Sequence, residues 1–187
     1  MAEEKKPKKR SGRRAYLNDF HLNEKGEYVY EGKMFVWDGP QETYRSAMVR
    51  SGICAALVLV LTALPELFPA VPMSRFILTV LPWMGQLICA GLTAYAVWRM
   101  LWGKNPMRAY IHKASAAKLP NRSMICVFFA LFGAGEEIIY LLVRGISGDL
   151  FANLVRPASA LLCAGAAWLL HRTAGQMRWR EEQPARE

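Results

Sequence analysis

Residues 122–144 read RSMICVFFALFGAGEEIIYLLVR, an apolar segment with an arginine at each end and the pair Glu136-Glu137 inside it. An α-helix needs about 20 apolar residues to cross the hydrocarbon core of a bilayer. The length and composition of the segment therefore predict a membrane-spanning helix. A charged carboxylate inside hydrocarbon is costly, so an acidic residue in such a helix is expected to have a partner and a function.

Three further apolar stretches have similar lengths. The predicted spans are residues 47–64, 76–98, 123–143 and 150–170. Each is long enough, or nearly so, to cross the bilayer as an α-helix. The sequence thus predicts an all-α integral membrane protein with four transmembrane helices and places its transmembrane domain at residues 40–172.

The distribution of Lys and Arg predicts the orientation. With four spans, both termini lie on one side, and that side collects 11 Lys and Arg in residues 1–50, 6 in residues 99–122 and 4 in residues 172–187, or 21 of 24. The positive-inside rule therefore predicts cytoplasmic termini, in a multi-pass protein of the plasma (cytoplasmic) membrane. The net charge of +9 indicates this topology and attraction to anionic lipid headgroups, not a nucleic-acid-binding surface.

The region before the first span divides in two. Residues 1–15 are basic and almost free of apolar side chains, which predicts disorder. Residues 16–39 are predicted to form a short cytoplasmic β-hairpin in which Tyr28-Val29-Tyr30 pairs with Met34-Phe35-Val36-Trp37. An isolated hairpin is marginal in water, so it should contact lipid headgroups or a partner protein. The candidate partner-binding residues are Tyr28, Tyr30, Phe35 and Trp37.

Two further segments lie outside the spans. Asn105-Pro106 resembles a helix start, and the apolar spacing that follows predicts an interfacial helix over residues 106–118. Residues 173–187 are predicted to be an unstructured cytoplasmic tail. The cysteines Cys54, Cys89, Cys126 and Cys163 fall one in each span and lack CxxC spacing, so we interpret them as small buried apolar residues and not as metal ligands.

Four side chains form a candidate intramembrane polar site, namely Glu136, Glu137, Arg156 and Gln86. Glu137 follows small residues on its helical face, so it is predicted to be the more buried of the two glutamates. The short turn at residues 145–149 makes the third and fourth spans antiparallel neighbours. A rise of about 1.5 Å per residue then puts Glu137 and Arg156 at similar depth, which predicts an ion pair. Gln86 is predicted to hydrogen-bond a neighbouring helix.

The sequence contains no complete catalytic motif. Glu136-Glu137 resembles the first motif of the intramembrane CAAX-protease-like family, but Leu141 occupies the position of that motif's arginine, so membership is not predicted. The sequence contains no nucleotide-binding glycine loop, no HExxH and no evident nucleophile–base pair. We therefore expect no catalytic, cofactor-binding or metal site.

Two functions are compatible with these features. The first is an accessory or interaction subunit whose partner is another membrane protein or a second copy of the chain. The alternative is a small transporter or channel subunit in which Glu136, Glu137 and Arg156 line a polar cavity, because charges inside a membrane often mark a transport pathway.

Overall fold

The computed structural model describes residues 17, 19–22, 26–103 and 105–183. Within them the α-helices are α1 (Gln41–Ala63), α2 (Ile77–Trp102), α3 (Ala109–Ala114), α4 (Leu119–Arg144) and α5 (Leu150–Gly175). The strands are β1 (Phe20–Leu22), β2 (Tyr28–Tyr30), β3 (Met34–Trp37), β4 (Met107–Arg108) and β5 (Trp179–Glu182). Two 3-10 turns, Leu64–Leu67 and Pro72–Arg75, connect α1 to α2. The predicted disordered segment 1–15 and the last four residues of the predicted tail lie outside the described residues.

The four long helices are long and apolar enough to cross a membrane, which indicates an integral membrane protein. They pack as a ring in which α1 contacts α2, α2 contacts α4, α4 contacts α5, and α5 contacts α1. The start of α1 and the end of α5 lie together, and we call this side of the bundle the termini end. The connections at residues 64–76 and 145–149 lie at the opposite end.

Small residues allow the helices to approach closely. The buried face of α4 includes Ala130, Gly133 and Ala134, and α5 buries a run of alanines against its neighbours. Between α2 and α4, the ring of Phe129 packs directly over Gly85. Close packing of small residues is a main source of helix association in a bilayer, because lipid already solvates apolar side chains.

The predicted hairpin pairing is wrong. The strand Tyr28–Tyr30 pairs with Phe20–Leu22, an earlier segment, and the two form a small antiparallel hairpin. Residues 31–33 do not form a tight turn, because the Glu31 amide donates to the Asp19 carbonyl and the Lys33 carbonyl accepts from the Ala109 amide. These contacts direct β3 towards α3 and away from β2.

Strand β3 is instead the centre of a three-stranded sheet at the termini end. It pairs antiparallel with β4 on one side and with β5 on the other. The C-terminal segment, predicted to be unstructured, thus contributes a strand, since α5 ends beside the start of α1 and brings residues 179–182 next to residues 34–37.

The predicted interfacial helix is shorter than expected. Helix α3 begins only at Ala109, because Met107 and Arg108 pair with β3. Asn105 does not cap this helix, and its side-chain oxygen accepts a hydrogen bond from the Trp37 amide at 3.3 Å. The loop between α2 and α4 is therefore attached to the sheet.

Candidate functional site

Arg156 is the centre of an intramembrane charge cluster. Its side chain is 7% exposed, Nε donates to Oε1 of Glu137 at 3.2 Å, and Nη1 donates to Oε1 of Glu66 at 3.3 Å. We call Glu66, Glu137 and Arg156 the Arg156 cluster. The structure places Glu137 and Arg156 in the contact that matching depths predict, and it adds a second carboxylate from another part of the chain.

The turn between α4 and α5 sets the position of Arg156. Gly145 adopts a positive φ of 72°, which a glycine adopts without strain. The Asp149 side chain then caps α5 by accepting from the Ala152 amide at 2.7 Å, and the Asn153 side-chain amide donates to the carbonyls of Ser147 and Asp149. Arg156 follows within one helical turn, so this hydrogen-bonded turn fixes where the cation lies relative to Glu137.

The burial of the two glutamates differs as expected. Glu137 lies on the small-residue face of α4 and is 5% exposed. Glu136 is half-buried, and within the part of the chain that the structure describes it makes no ion pair or hydrogen bond. The structure therefore brings Glu137 into the cluster and leaves Glu136 out of it.

Sequence reasoning missed Glu66. This residue lies in the first 3-10 turn after α1, and half of its side-chain surface is exposed. The loop is otherwise apolar and rich in proline, a composition typical of a segment that lies against the membrane surface. A usable signal was present, because Glu66 is the sole acidic residue in residues 64–76, at the end of the bundle where Arg156 needs a counter-ion.

Gln86 belongs to a neighbouring hydrogen-bond group. Its amide donates to Oγ1 of Thr62 at 3.1 Å, and that hydroxyl donates to the Val58 carbonyl at 2.8 Å. The indole of Trp83 donates to the Thr62 carbonyl at 3.2 Å. Gln86 thus bonds a neighbouring helix, α1, but makes no direct contact of this kind with Arg156 or Glu137 among the described residues.

A small cavity separates Gln86 from the charge cluster. Its volume is about 10 Å³, and Gln86, Glu137, Arg156 and Ser159 are among the residues that line it. This volume fits about one water molecule. The second carboxylate oxygen of Glu137 is buried without a hydrogen-bond partner among the described residues, so it is the polar atom that such a water would satisfy.

The four cysteines lie in the helical part of the protein and form no disulfide with one another. Cys54, Cys89, Cys126 and Cys163 are free thiols, and Cys163 lies 3.5 Å from the Thr62 hydroxyl in the helical core. Within the described ranges, no three His, Cys, Asp or Glu side chains are placed to hold a metal ion.

Three of the four aromatic residues predicted to bind a partner contact other residues of the same chain. Tyr30 is 8% exposed and donates to the Lys33 carbonyl at 3.1 Å, and burial raises the pKa of this phenol. Phe35 stacks on His112 with ring centroids 4.0 Å apart, and Trp37 meets Trp179 edge to face at 5.5 Å. Of the four, Tyr28 alone remains highly exposed.

Comparison with models of known protein families gives no match, and comparisons with curated proteins and with solved structures give no significant one.

Proposed function

We propose that the protein is a non-catalytic membrane subunit that binds a partner protein through its N-terminal hairpin. The binding surface is the end of the hairpin that lies away from α3. The support for this proposal is one face of the hairpin. In the β1–β2 register, Phe20 lies opposite Tyr30 and Leu22 lies opposite Tyr28, so alternation places all four side chains on the same face.

This face is covered at one end only. Phe20 and Tyr30 contact the ring of Tyr110 in α3, with centroids 6.5 and 6.1 Å apart. Beyond that contact the same face continues to Leu22 and Tyr28, which are 61% and 73% exposed. An exposed apolar extension of a packed face is typical of a protein-binding surface.

A double substitution tests the proposal. Leu22→Lys with Tyr28→Lys should abolish co-purification of a stoichiometric partner in mild detergent, because two charges would be buried in the contact. Val29→Lys is the matched control, since Val29 is also exposed but lies on the opposite face of the hairpin. Size-exclusion chromatography with light scattering, and mass spectrometry of the complex, measure the outcome. Equal retention of the partner by both variants, or a monomer with no partner in the wild type, would contradict the proposal.

We assign the Arg156 cluster a role in holding the helices together. It joins α4, α5 and the 3-10 turn that follows α1, and its cavity has space for about one water but not for a larger substrate. Removing one partner of a buried ion pair leaves the other charge uncompensated, so the cluster favours this arrangement of α4 and α5 over arrangements that separate the two charges.

Transport is the second candidate. The observation that favours it is the continuity of charge from Glu66, which is half-exposed, through Arg156 to the buried carboxylate of Glu137. Proton flux into liposomes that contain the purified protein, abolished by Glu137→Gln and retained by Glu136→Gln, would establish transport. An absence of flux in a sealed, correctly reconstituted preparation would favour the subunit role.

We propose that the protein lies in the plasma membrane with both termini in the cytoplasm. In a cysteine-free variant on intact cells, Leu67→Cys should react with an impermeant thiol reagent and Lys113→Cys should react only after permeabilisation. Both side chains are exposed, so solvent access within the protein does not limit either reaction. The reverse labelling pattern would show that the charge bias of 21 to 3 does not set the topology.

A further inference from the structure

We infer that a groove between the first turns of α1 and the last turn of α5 binds one anionic phospholipid headgroup, with the phosphate on Arg50. The groove has a volume of about 290 Å³ and lies at the termini end. Its polar lining comprises Arg50, Thr43, Ser46, Thr173, Gln176 and the indole of Trp37. We call it the α1–α5 groove.

The charge of the groove points to an anion. Arg50 is the one charged side chain in its lining, and within the described residues it makes no hydrogen bond or ion pair. A guanidinium binds phosphate oxygens through several N–H groups in a fixed plane. The hydroxyls of Ser46 and Thr173 and the amide of Gln176 add groups that suit a hydroxylated headgroup such as glycerol. Among the described residues, no carboxylate lines the groove to pair with a choline or ethanolamine cation.

The depth of the groove is that of lipid headgroups. On α1 the residues before Ala47 are mainly polar, whereas the exposed surface from Val49 onward is mainly apolar. On α5 the apolar surface ends near Leu169, and Arg172 and Thr173 follow. The groove therefore spans the boundary between apolar and polar surface on both helices, and a tryptophan at this level is typical of the membrane interface.

Apolar rows extend from the groove along both helices. Ile53 and Leu57 follow Arg50 at helical spacing on α1 and are 56% and 45% exposed. On α5, Leu169 precedes Thr173 by one turn, Leu162 lies two turns further in, and they are 56% and 63% exposed. Because Arg50 and Thr173 line the same groove, the two apolar rows start side by side from it, and the acyl chains below a bound headgroup can lie along them.

Two arginines of one helix provide the test. The full-length protein in neutral detergent is titrated with phosphatidylglycerol or phosphatidylcholine, and bound lipids are counted by native mass spectrometry beside thermal unfolding. The wild type should bind one phosphatidylglycerol saturably and should bind phosphatidylcholine more weakly. Arg50→Gln should weaken phosphatidylglycerol binding by about tenfold or more, since the charge-assisted hydrogen bonds to the phosphate are lost.

Arg45→Gln is the matched control, because Arg45 is exposed on α1 but does not line the groove. It should keep the saturable site. Ser46→Trp, which fills the groove and retains Arg50, should lose binding as Arg50→Gln does. Equal weakening by Arg45→Gln and Arg50→Gln would mean diffuse electrostatic attraction and would overturn the inference. The same thermal shift with inorganic phosphate at equal concentration would also overturn it, because a lipid would not be required.

Discussion

Arg156→Leu is expected to destabilise the bundle by about 3–5 kcal/mol, the usual cost of removing one partner of a buried ion pair. The change leaves the Glu137 carboxylate, which is 5% exposed, without its cation in a helical core. Glu66 is affected less, because half of its side-chain surface is exposed and water or headgroups can solvate it. The measurement is unfolding in mixed detergent, followed by circular dichroism.

The double variant distinguishes an ion pair from two independent contributions. Glu137→Leu combined with Arg156→Leu should recover much of the loss, because replacing both members of a buried pair by apolar residues is often nearly neutral. Glu66→Gln should cost less than about 1 kcal/mol, as expected for a partly exposed pair. Arg144→Leu is the matched control, since Arg144 is exposed at the end of α4 and makes no ion pair with any described residue. Strictly additive losses for Glu137 and Arg156 would contradict the coupling.

Partner binding measured in the same variants shows whether the Arg156 cluster has a function besides stability. If the double variant is stable and still binds its partner, the Arg156 cluster serves packing alone. Loss of partner binding in a stable double variant would instead give the charges a role in the interface or in the conformation that the partner recognises. The transport alternative would require loss of flux with retained stability.

Gly85→Ala should produce the second large effect, a loss of about 1–3 kcal/mol from overpacking. A Cβ at this position would lie 2.5 Å from Cε1 and 2.6 Å from Cδ1 of the Phe129 ring. A third ring atom, Cζ, would lie 2.9 Å from the added Cβ, so either the Phe129 ring or the helix that carries it must shift. Thermal unfolding in detergent measures the loss.

The control for this prediction is on the same helix. Among the described residues, no heavy atom outside the local helix backbone lies within 4 Å of a Cβ added at Gly91, so Gly91→Ala should be neutral or slightly stabilising through the better helix propensity of alanine. Combining Gly85→Ala with Phe129→Leu should cost less than the sum of the two single changes, because residues in contact are not additive. Equal effects of alanine at positions 85 and 91 would show that the helices do not approach each other as closely as this contact requires.

Much of the candidate site follows from local sequence. The connection at residues 145–149 is so short that α5 must run antiparallel beside α4. The rise per residue of a helix then places Glu137 and Arg156 at the same depth. The small residues before Glu137 also indicate which glutamate faces the bundle. Glu66 could not be placed in this way, because its position depends on the path of a proline-rich connection whose residues have no regular period.

The sequence by itself determined the four apolar helices, their order and the antiparallel α4–α5 pair. Backbone hydrogen bonds of a helix in lipid are satisfied within the segment, so length and composition are enough to locate it. Strand pairing has no such local rule. Strands β3 and β4 are separated by about 70 residues and β3 and β5 by more than 140, and they meet because the helical bundle brings the start of α1, the α2–α4 loop and the end of α5 to one side. The sheet, the contribution of Glu66 and the α1–α5 groove therefore depend on tertiary packing, since each joins segments that no sequence period relates.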